Sequence, residues 1–154
     1  MSEQDQVTSQ FDFWVGEWEC SGPLRTTPGK DDWSNSKAKN SIKKILGGKV
    51  VEESFSMDGF NGRSVTVYDQ KREIWRQTWV DDAGGYLAFE GGIVDGKMVL
   101  NEVSKPIASN PDRKQRMVFS DFLGDSFTWE WQSSQDGGKT WELDWRLNYK
   151  RKKE

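Results

Sequence analysis

Alternation of apolar and polar side chains with a period of two is the feature that most constrains the fold of this chain. Gly, Asp-Gly or Asn-Gly turns interrupt the alternation roughly every eight to twelve residues. It is clearest near the C-terminus, where every second residue is apolar: Trp141, Leu143, Trp145, Leu147 and Tyr149. Successive side chains of a strand point to opposite faces, so each segment is predicted to be a strand with one buried face and one wet face.

This pattern predicts about ten short strands in meander order. Their predicted bounds are Phe13–Cys20, Asn35–Leu46, Val50–Met57, Ser64–Asp69, Ile74–Asp81, Tyr86–Gly91, Lys97–Ser104, Arg113–Ser120, Ser126–Ser133 and Thr140–Lys150. The fold class that follows is all-β. Residues 1–154 are expected to form one domain, a single antiparallel up-and-down barrel, because closure removes the exposed edges of a sheet. A two-sheet sandwich is the structural alternative.

Three segments lie outside the predicted strands. The stretch before Phe13 is predicted to form a short helical turn that plugs one end of the barrel. Ser21–Ser34 and Lys105–Asp112 each contain two prolines, so both are predicted to be irregular loops, either connectors or binding loops.

Aromatic side chains must build the core of this protein. The chain has nine Trp and eight Phe among 154 residues, while hydrophobic residues of all kinds make up only 34%. A buried aromatic side chain removes about 150–250 Å² from water, so leaving most of the Trp residues exposed would be costly.

The charge balance argues against several classes of partner. The formal net charge of -3 is small, and the only basic run is at residues 150–153, so neither a nucleic acid nor a membrane is predicted as a partner. The polar, acidic start has no features of a secretory signal, and the lone Cys20 forms no internal disulfide. Together these features predict a cytoplasmic protein. The sequence leaves a homo-oligomer open.

The lack of histidine limits the chemistry available to one subunit. Histidine is the commonest general base and a common metal ligand, and the chain has none, so no catalytic residue, metal or cofactor is predicted. Glu17 and Glu19 are expected on a solvated outer face. Glu52 and Glu53 are adjacent in a strand, so one of them is expected to point inward, where burial would raise its pKa.

A candidate ligand-binding set combines rings with one polar group. Gln77 shares one face of a central strand with two Trp residues, and a polar group among rings is typical of a small-molecule pocket. The last two strands add further Trp residues on their apolar faces. The predicted ligand-binding residues are Trp75, Gln77, Trp79, Trp129, Trp131 and Trp145. Rings that fill the core, with Gln77 hydrogen-bonded among them, are the alternative.

The motif Gly16-x-Trp18 on the first predicted strand resembles the Gly-x-Trp signature of the lipocalins and wider calycins. In those families the Trp closes the base of the barrel beneath an Arg from a late strand. The resemblance implies barrel-closing roles for Gly16 and Trp18, with Arg146 as the candidate Arg.

A longer resemblance covers nearly the whole chain. It includes Phe-Asp-Phe-Trp-x-Gly-x-Trp at residues 11–18 and Glu-Gly-Gly-x-Val-Asp-Gly at residues 90–96. These segments resemble an uncharacterised group of small bacterial proteins with a domain of unknown function. That group is taken to be lipocalin-like and has no assigned activity, so the resemblance implies the barrel and no particular reaction.

The segment Ser134-x-Asp136-x-Gly138-x-Thr140-Trp141 resembles the Asp-box of sialidase-type propellers. In that motif the Asp accepts hydrogen bonds from the backbone N–H groups of a β-hairpin turn. A single copy cannot make a propeller, so the motif predicts a rigid hairpin turn.

Three functions are consistent with these patterns. The leading hypothesis is a noncatalytic carrier or sensor that binds a small apolar or aromatic molecule inside the barrel. The second is a histidine-independent enzyme of isomerase or cyclase type, which an inward Glu or Arg with a perturbed pKa would favour. The third is a solid-cored protein-interaction module, which a filled interior and a large exposed apolar patch would favour.

Overall fold

Ten antiparallel strands close into one barrel in the computed structural model, which describes residues 2–104 and 110–153. The strands are β1 (Gly16–Arg25), β2 (Trp33–Ile45), β3 (Val50–Met57), β4 (Phe60–Asp69), β5 (Ile74–Asp81), β6 (Tyr86–Val94), β7 (Lys97–Glu102), β8 (Lys114–Ser120), β9 (Ser126–Ser134) and β10 (Glu142–Arg151). Each strand pairs with its neighbours in sequence, and β1 pairs with β10 to complete the ring. The predicted up-and-down barrel is confirmed.

The N-terminal segment forms helix α1 (Glu3–Thr8) and a 3₁₀ helix (Ser9–Trp14). Ser2 and Asp5 form a capping box at the start of α1, which satisfies N–H groups that have no partner within the helix. The 3₁₀ helix buries Phe11 and Trp14. The predicted helical turn is confirmed, and no helix in the described residues is long and apolar enough to cross a membrane.

The first strand begins later and ends later than predicted. Trp14 belongs to the 3₁₀ helix, which ends where the N–H of Val15 donates to the carbonyl of Asp12. The strand then continues to Arg25, into the segment predicted to be a loop. Pro23 is tolerated there because the ladder with β10 is interrupted at Gly22 and Pro23, where a proline has no N–H to donate.

The second predicted loop, Lys105–Asp112, lies partly outside the described residues, since nothing is described for 105–109.

The last strand departs from its predicted regularity near its start. The register with β9 shifts between Leu143 and Trp145, which is a β-bulge. Trp141 precedes the strand and lies against the guanidinium of Arg116, 3.9 Å from the ring centroid. The prediction that Trp141 shares a face with Trp145 is therefore wrong, because a bulge adds one residue and breaks the period of two.

The adjacent glycines of β6 provide a test of the barrel packing. A Cβ at Gly91 would lie 1.8 Å from the carbonyl oxygen of Val99 on β7, whereas a Cβ at Gly92 would meet nothing within 4 Å. We expect Gly91→Ala to lower the free energy of unfolding by about 1–3 kcal/mol, because overpacking forces the backbone to move. Urea unfolding followed by Trp fluorescence measures this change. Gly92→Ala is the matched control, and equal effects of the two substitutions would contradict the packing described.

Candidate ligand-binding site in the barrel interior

The N-terminal segment fills one end of the barrel with rings. Phe11 contacts Trp75 with their ring centroids 4.8 Å apart, and it contacts Phe119 with the centroids 5.5 Å apart. Trp14 contacts Phe119 at 5.3 Å. Trp75 also donates from its indole N–H to Gln10, at 3.0 Å. Trp75 was predicted to bind a ligand, but the structure places it in this plug, where the N-terminal residues already cover it.

Trp18 lies at the same end and is covered by an arginine, as the lipocalin resemblance implies. The arginine is Arg151, whose guanidinium lies 4.3 Å from the Trp18 ring centroid and donates to the carbonyl of Val15. The assignment of Arg146 is wrong, because Arg146 points to the outer face of β10 and pairs with Glu130 at 2.7 Å. Gly16 precedes Trp18 with φ of 141°, and a Cβ there would strike the Arg151 guanidinium.

A cavity of about 210 Å³ lies towards the opposite end of the barrel. Four lining residues were predicted as ligand-binding rings: Trp79, Trp129, Trp131 and Trp145. Gln77, the predicted polar member, lines it as well. The structure thus brings five of the six predicted residues around one cavity and leaves out Trp75. The other lining residues are Trp14, Glu53, Phe55, Phe60, Asp81, Leu87, Phe89, Met117, Leu147 and Tyr149.

Partners in the wall hold the rings around the cavity. Trp129 and Trp145 meet edge to face, with their centroids 5.2 Å apart. The indole N–H of Trp145 donates to Ser36 at 2.8 Å, and that of Trp79 donates to Asp81 at 2.9 Å. Because these N–H groups already have acceptors, the two indoles offer a ligand mainly carbon surface.

A chain of hydrogen bonds crosses one wall of the interior. The Asn40 amide donates to Glu53 at 2.7 Å and to the Tyr149 hydroxyl at 2.8 Å, and the Ser64 hydroxyl donates to the other Glu53 oxygen at 2.7 Å. All four residues are buried. Phe89, Met117, Trp129 and Trp131 lie on the other strands that line the cavity, so one wall is polar and the other is apolar.

Glu53 is the inward member of the predicted Glu52-Glu53 pair. It is 6% exposed, and among the described residues it has no ion-pair partner. Burial raises the pKa of its carboxyl, and the hydrogen bonds from Asn40 and Ser64 only partly oppose that shift. Glu52 faces outward and pairs with Lys43 at 3.5 Å.

Gln77 carries an acceptor without a partner on the cavity wall. Its amide N–H₂ donates to the Thr66 hydroxyl at 2.9 Å, and its side-chain oxygen is buried with no hydrogen bond. Thr66 and Ser64 are two residues apart on β4 and hold Gln77 and Glu53 respectively. Glu53 on β3 and Gln77 on β5 therefore flank β4, and both line the cavity.

Asp81 stands near the mouth of the cavity and stays ionised. Burial acts to raise its pKa, but hydrogen bonds from the Trp79 indole and the N–H groups of Gly85 and Ala83 outweigh this effect and lower it. Neither Lys nor Arg occurs among the residues that line the cavity. A ligand would therefore meet the ionised Asp81 and the Glu53 carboxyl, whose raised pKa favours its neutral form.

Cys20 is buried in the core beside this polar wall. Burial raises the pKa of its thiol to about 12, and a hydrogen bond with Tyr149 only partly opposes that shift. Burial likewise raises the pKa of Tyr149 well above its ordinary value, with the charges of Cys20 and Glu53 adding to the effect. Both groups are neutral near pH 7, so Cys20 is not a nucleophile there.

The structure does not offer a metal site in the residues it describes. None of their His, Cys, Asp and Glu side chains form a group of three or more with metal-binding geometry.

The Asp-box interpretation is confirmed, because Asp136 accepts from the N–H groups of Lys139 and Thr140 and from the Thr140 hydroxyl. That motif rigidifies the turn between β9 and β10.

Sequence reasoning missed several residues of the site. Asn40 carried a usable signal, because it alternates with the buried Ala38 and Ile42 along β2. Tyr149 was placed on the correct face and not recognised as a partner of Asn40. Phe60 was missed because the fourth strand was predicted to begin at Ser64, and it begins at Phe60.

The fold and the cavity define this protein as a closed ten-stranded antiparallel barrel with one end plugged and an interior cavity at the other. A family described as a protein of unknown function, DUF1579, matches residues 6–151. The chain belongs to that family. No curated protein matches the chain.

The raised pKa of Glu53 gives a test through the pH dependence of stability. An unfolded Glu ionises near 4.5, while native Glu53 retains its proton to higher pH. The unfolded chain therefore binds fewer protons above pH 4.5, and the free energy of unfolding falls as pH rises towards the native pKa, by at most about 1.4 kcal/mol per pH unit. Because the chain has no histidine, few other side chains titrate between pH 5 and 8.

We expect Glu53→Gln to flatten this fall in urea unfolding curves recorded from pH 5 to 8. The outward neighbour provides the matched control, since Glu52→Gln should keep the wild-type slope. Equal slopes in wild type and Glu53→Gln would show that Glu53 ionises normally and would contradict its burial.

Proposed function

We propose that this protein binds a small apolar or aromatic molecule in the barrel cavity, as a noncatalytic carrier or sensor. The observation that carries the proposal is the cavity of about 210 Å³, walled by five Trp residues, with the unpaired oxygen of Gln77 on its surface. Ligand sites are typically concave, mostly apolar, and supplied with a few fixed polar groups. A lipocalin-like barrel, which the sequence resembles, would use its interior in the same way.

The cavity limits the size of the ligand. A cavity of roughly 150 Å³ accommodates benzene, so this one has room for about eight heavy atoms. Phe60 and Leu87 line the cavity and are only half-buried, so longer parts of a ligand would leave through a mouth beside them. Small single-ring or two-ring compounds therefore fit better than long fatty acids.

The test is a titration of ¹⁵N-labelled protein with indole, 2-naphthol and phenethyl alcohol, followed by the NMR signals of the Trp indole N–H groups. Trp79, Trp129, Trp131 and Trp145 should shift, because they line the cavity. Trp33 and Trp141 should not shift, because they pack against Arg25 and Arg116 away from the cavity. No shift with any compound, or shifts of Trp33 and Trp141 alone, would contradict the proposal.

A cavity-blocking variant makes the same test site-specific. Leu87 is half-buried and lines the cavity, so Leu87→Trp should fill its mouth and weaken binding at least tenfold, which corresponds to about 1.4 kcal/mol. Val65 is 47% exposed on the outer face, so Val65→Trp adds the same ring outside the cavity and should leave affinity unchanged. Equal affinities of the two variants would show that the compounds bind elsewhere.

Glu53 supports a second candidate, a histidine-independent enzyme that transfers a proton. It is a buried carboxyl with a raised pKa on the wall of the cavity, which is the kind of group a general acid or base requires. The discriminating measurement is recovery of a bound compound after incubation in D₂O. An unchanged compound favours the carrier, whereas carbon-bound deuterium that Glu53→Gln abolishes favours the enzyme.

The open cavity argues against the solid-cored interaction module.

A further inference from the structure

The ionisable side chains that line the cavity are acidic, and this limits the charge that a ligand can carry. Glu53 lies within it and Asp81 lies near its mouth, and no Lys or Arg is among the lining residues. Fatty acids and other carboxylates would meet the ionised Asp81 and no positive charge, and would leave their own charge unpaired. A buried charge without a partner is costly, so such ligands are disfavoured.

The unpaired polar atoms also favour a ligand that donates hydrogen bonds. The Gln77 oxygen is an acceptor in a side chain only 3% exposed, and the Glu53 oxygens have further lone pairs beyond those used by Asn40 and Ser64. Among the described residues, the fully buried lining donor without a hydrogen bond is the indole N–H of Trp14.

The Trp rings that line the cavity also favour a cationic ligand. An ammonium group near an indole face is attracted by the negative face of the ring, and recognition of amines by aromatic cages is the best-known use of this interaction. Trp79, Trp129, Trp131 and Trp145 supply four indoles around the cavity. A buried acid, an unpaired acceptor and an aromatic wall thus occur together in one cavity.

We propose that the ligand is a small protonated amine with an apolar or aromatic body, its ammonium bound at the polar wall that carries Glu53 and Gln77 and its body among the Trp rings. This inference rests on the proposed function, because it specifies the class of molecule that the same cavity binds. The amine supplies the positive charge that Glu53 lacks and the hydrogen-bond donor that Gln77 lacks.

Three compounds of nearly equal size test the inference by calorimetry: phenethylamine, phenethyl alcohol and phenylacetate. Hydrogen bonds to a charged group contribute about 1.5–3 kcal/mol, so the amine should bind about 10- to 100-fold more tightly than the alcohol, and phenylacetate should bind most weakly. Equal affinity for amine and alcohol would overturn the amine inference and leave the proposed function standing. Binding of none of the three would count against both.

Two adjacent substitutions test the role of Glu53. Glu53→Gln keeps the size of the side chain and removes its charge, so it should cost the amine at least tenfold in affinity and cost the alcohol a smaller factor. Glu52→Gln removes an outward charge paired with Lys43 and should change neither. Unchanged amine binding by Glu53→Gln would overturn the inference.

The pH dependence of wild-type binding provides a second readout that does not depend on whether the variant folds. A bound cation favours ionised Glu53, so amine affinity should rise from pH 5 to 8 until Glu53 is ionised in the free protein, while alcohol affinity stays level. The other titratable groups around Glu53 are Cys20 and Tyr149, which stay neutral in this range, and Asp81 at the mouth stays charged. Amine and alcohol affinities with the same pH dependence would overturn the inference.

Discussion

Insertion of Phe11 and Trp14 into one end of the barrel is the packing on which the rest of the interior depends. A barrel of about eight strands is just wide enough for its own side chains to fill, and ten strands enclose more space. Here the N-terminal 3₁₀ helix adds rings that fill one half, against Trp75 and Phe119. The barrel's own side chains leave a cavity in the other half, so the plug sets both the closed end and the position of the candidate site.

The polar wall lowers the stability of the empty barrel. Burying a hydrogen-bonded hydroxyl such as that of Ser64 is close to neutral, but a carboxyl without a counter-charge and the amide oxygens of Asn40 and Gln77 without donors are destabilising. Apolar residues at positions 53 and 77 would stabilise the empty barrel better. Groups that break the local rules of packing tend to lie at functional sites, and here both lie on the wall of one cavity.

Period-two alternation was sufficient to predict about ten strands and the inward positions of Trp129, Trp131, Trp145, Leu147 and Tyr149. It placed Gln77 beside Trp79 and predicted that one of Glu52 and Glu53 points inward. It failed where the backbone leaves strict alternation. The bulge before Trp145 moved Trp141 outside, and the 3₁₀ helix took Trp14 out of the first strand.

Alternation predicts which face of a strand a residue is on, but it does not predict how far along the barrel axis the residue lies. Trp75 and Trp79 share a face of β5, but one lies in the plug and the other lines the cavity. Their positions depend on which end the N-terminal segment enters. The wrong assignment of Arg146 has the same cause. The arginine over Trp18 must come from the end of β10 that pairs with the start of β1, and that arginine is Arg151.

A crystal structure of the protein under xenon pressure tests the central claim most directly, since xenon enters preformed apolar cavities. The account predicts xenon density among Trp129, Trp131 and Trp145, with the Glu53 carboxyl hydrogen-bonded to Asn40 and Ser64 behind it. An interior in which the rings close together and exclude xenon, or in which Glu53 turns out to solvent, would contradict the account.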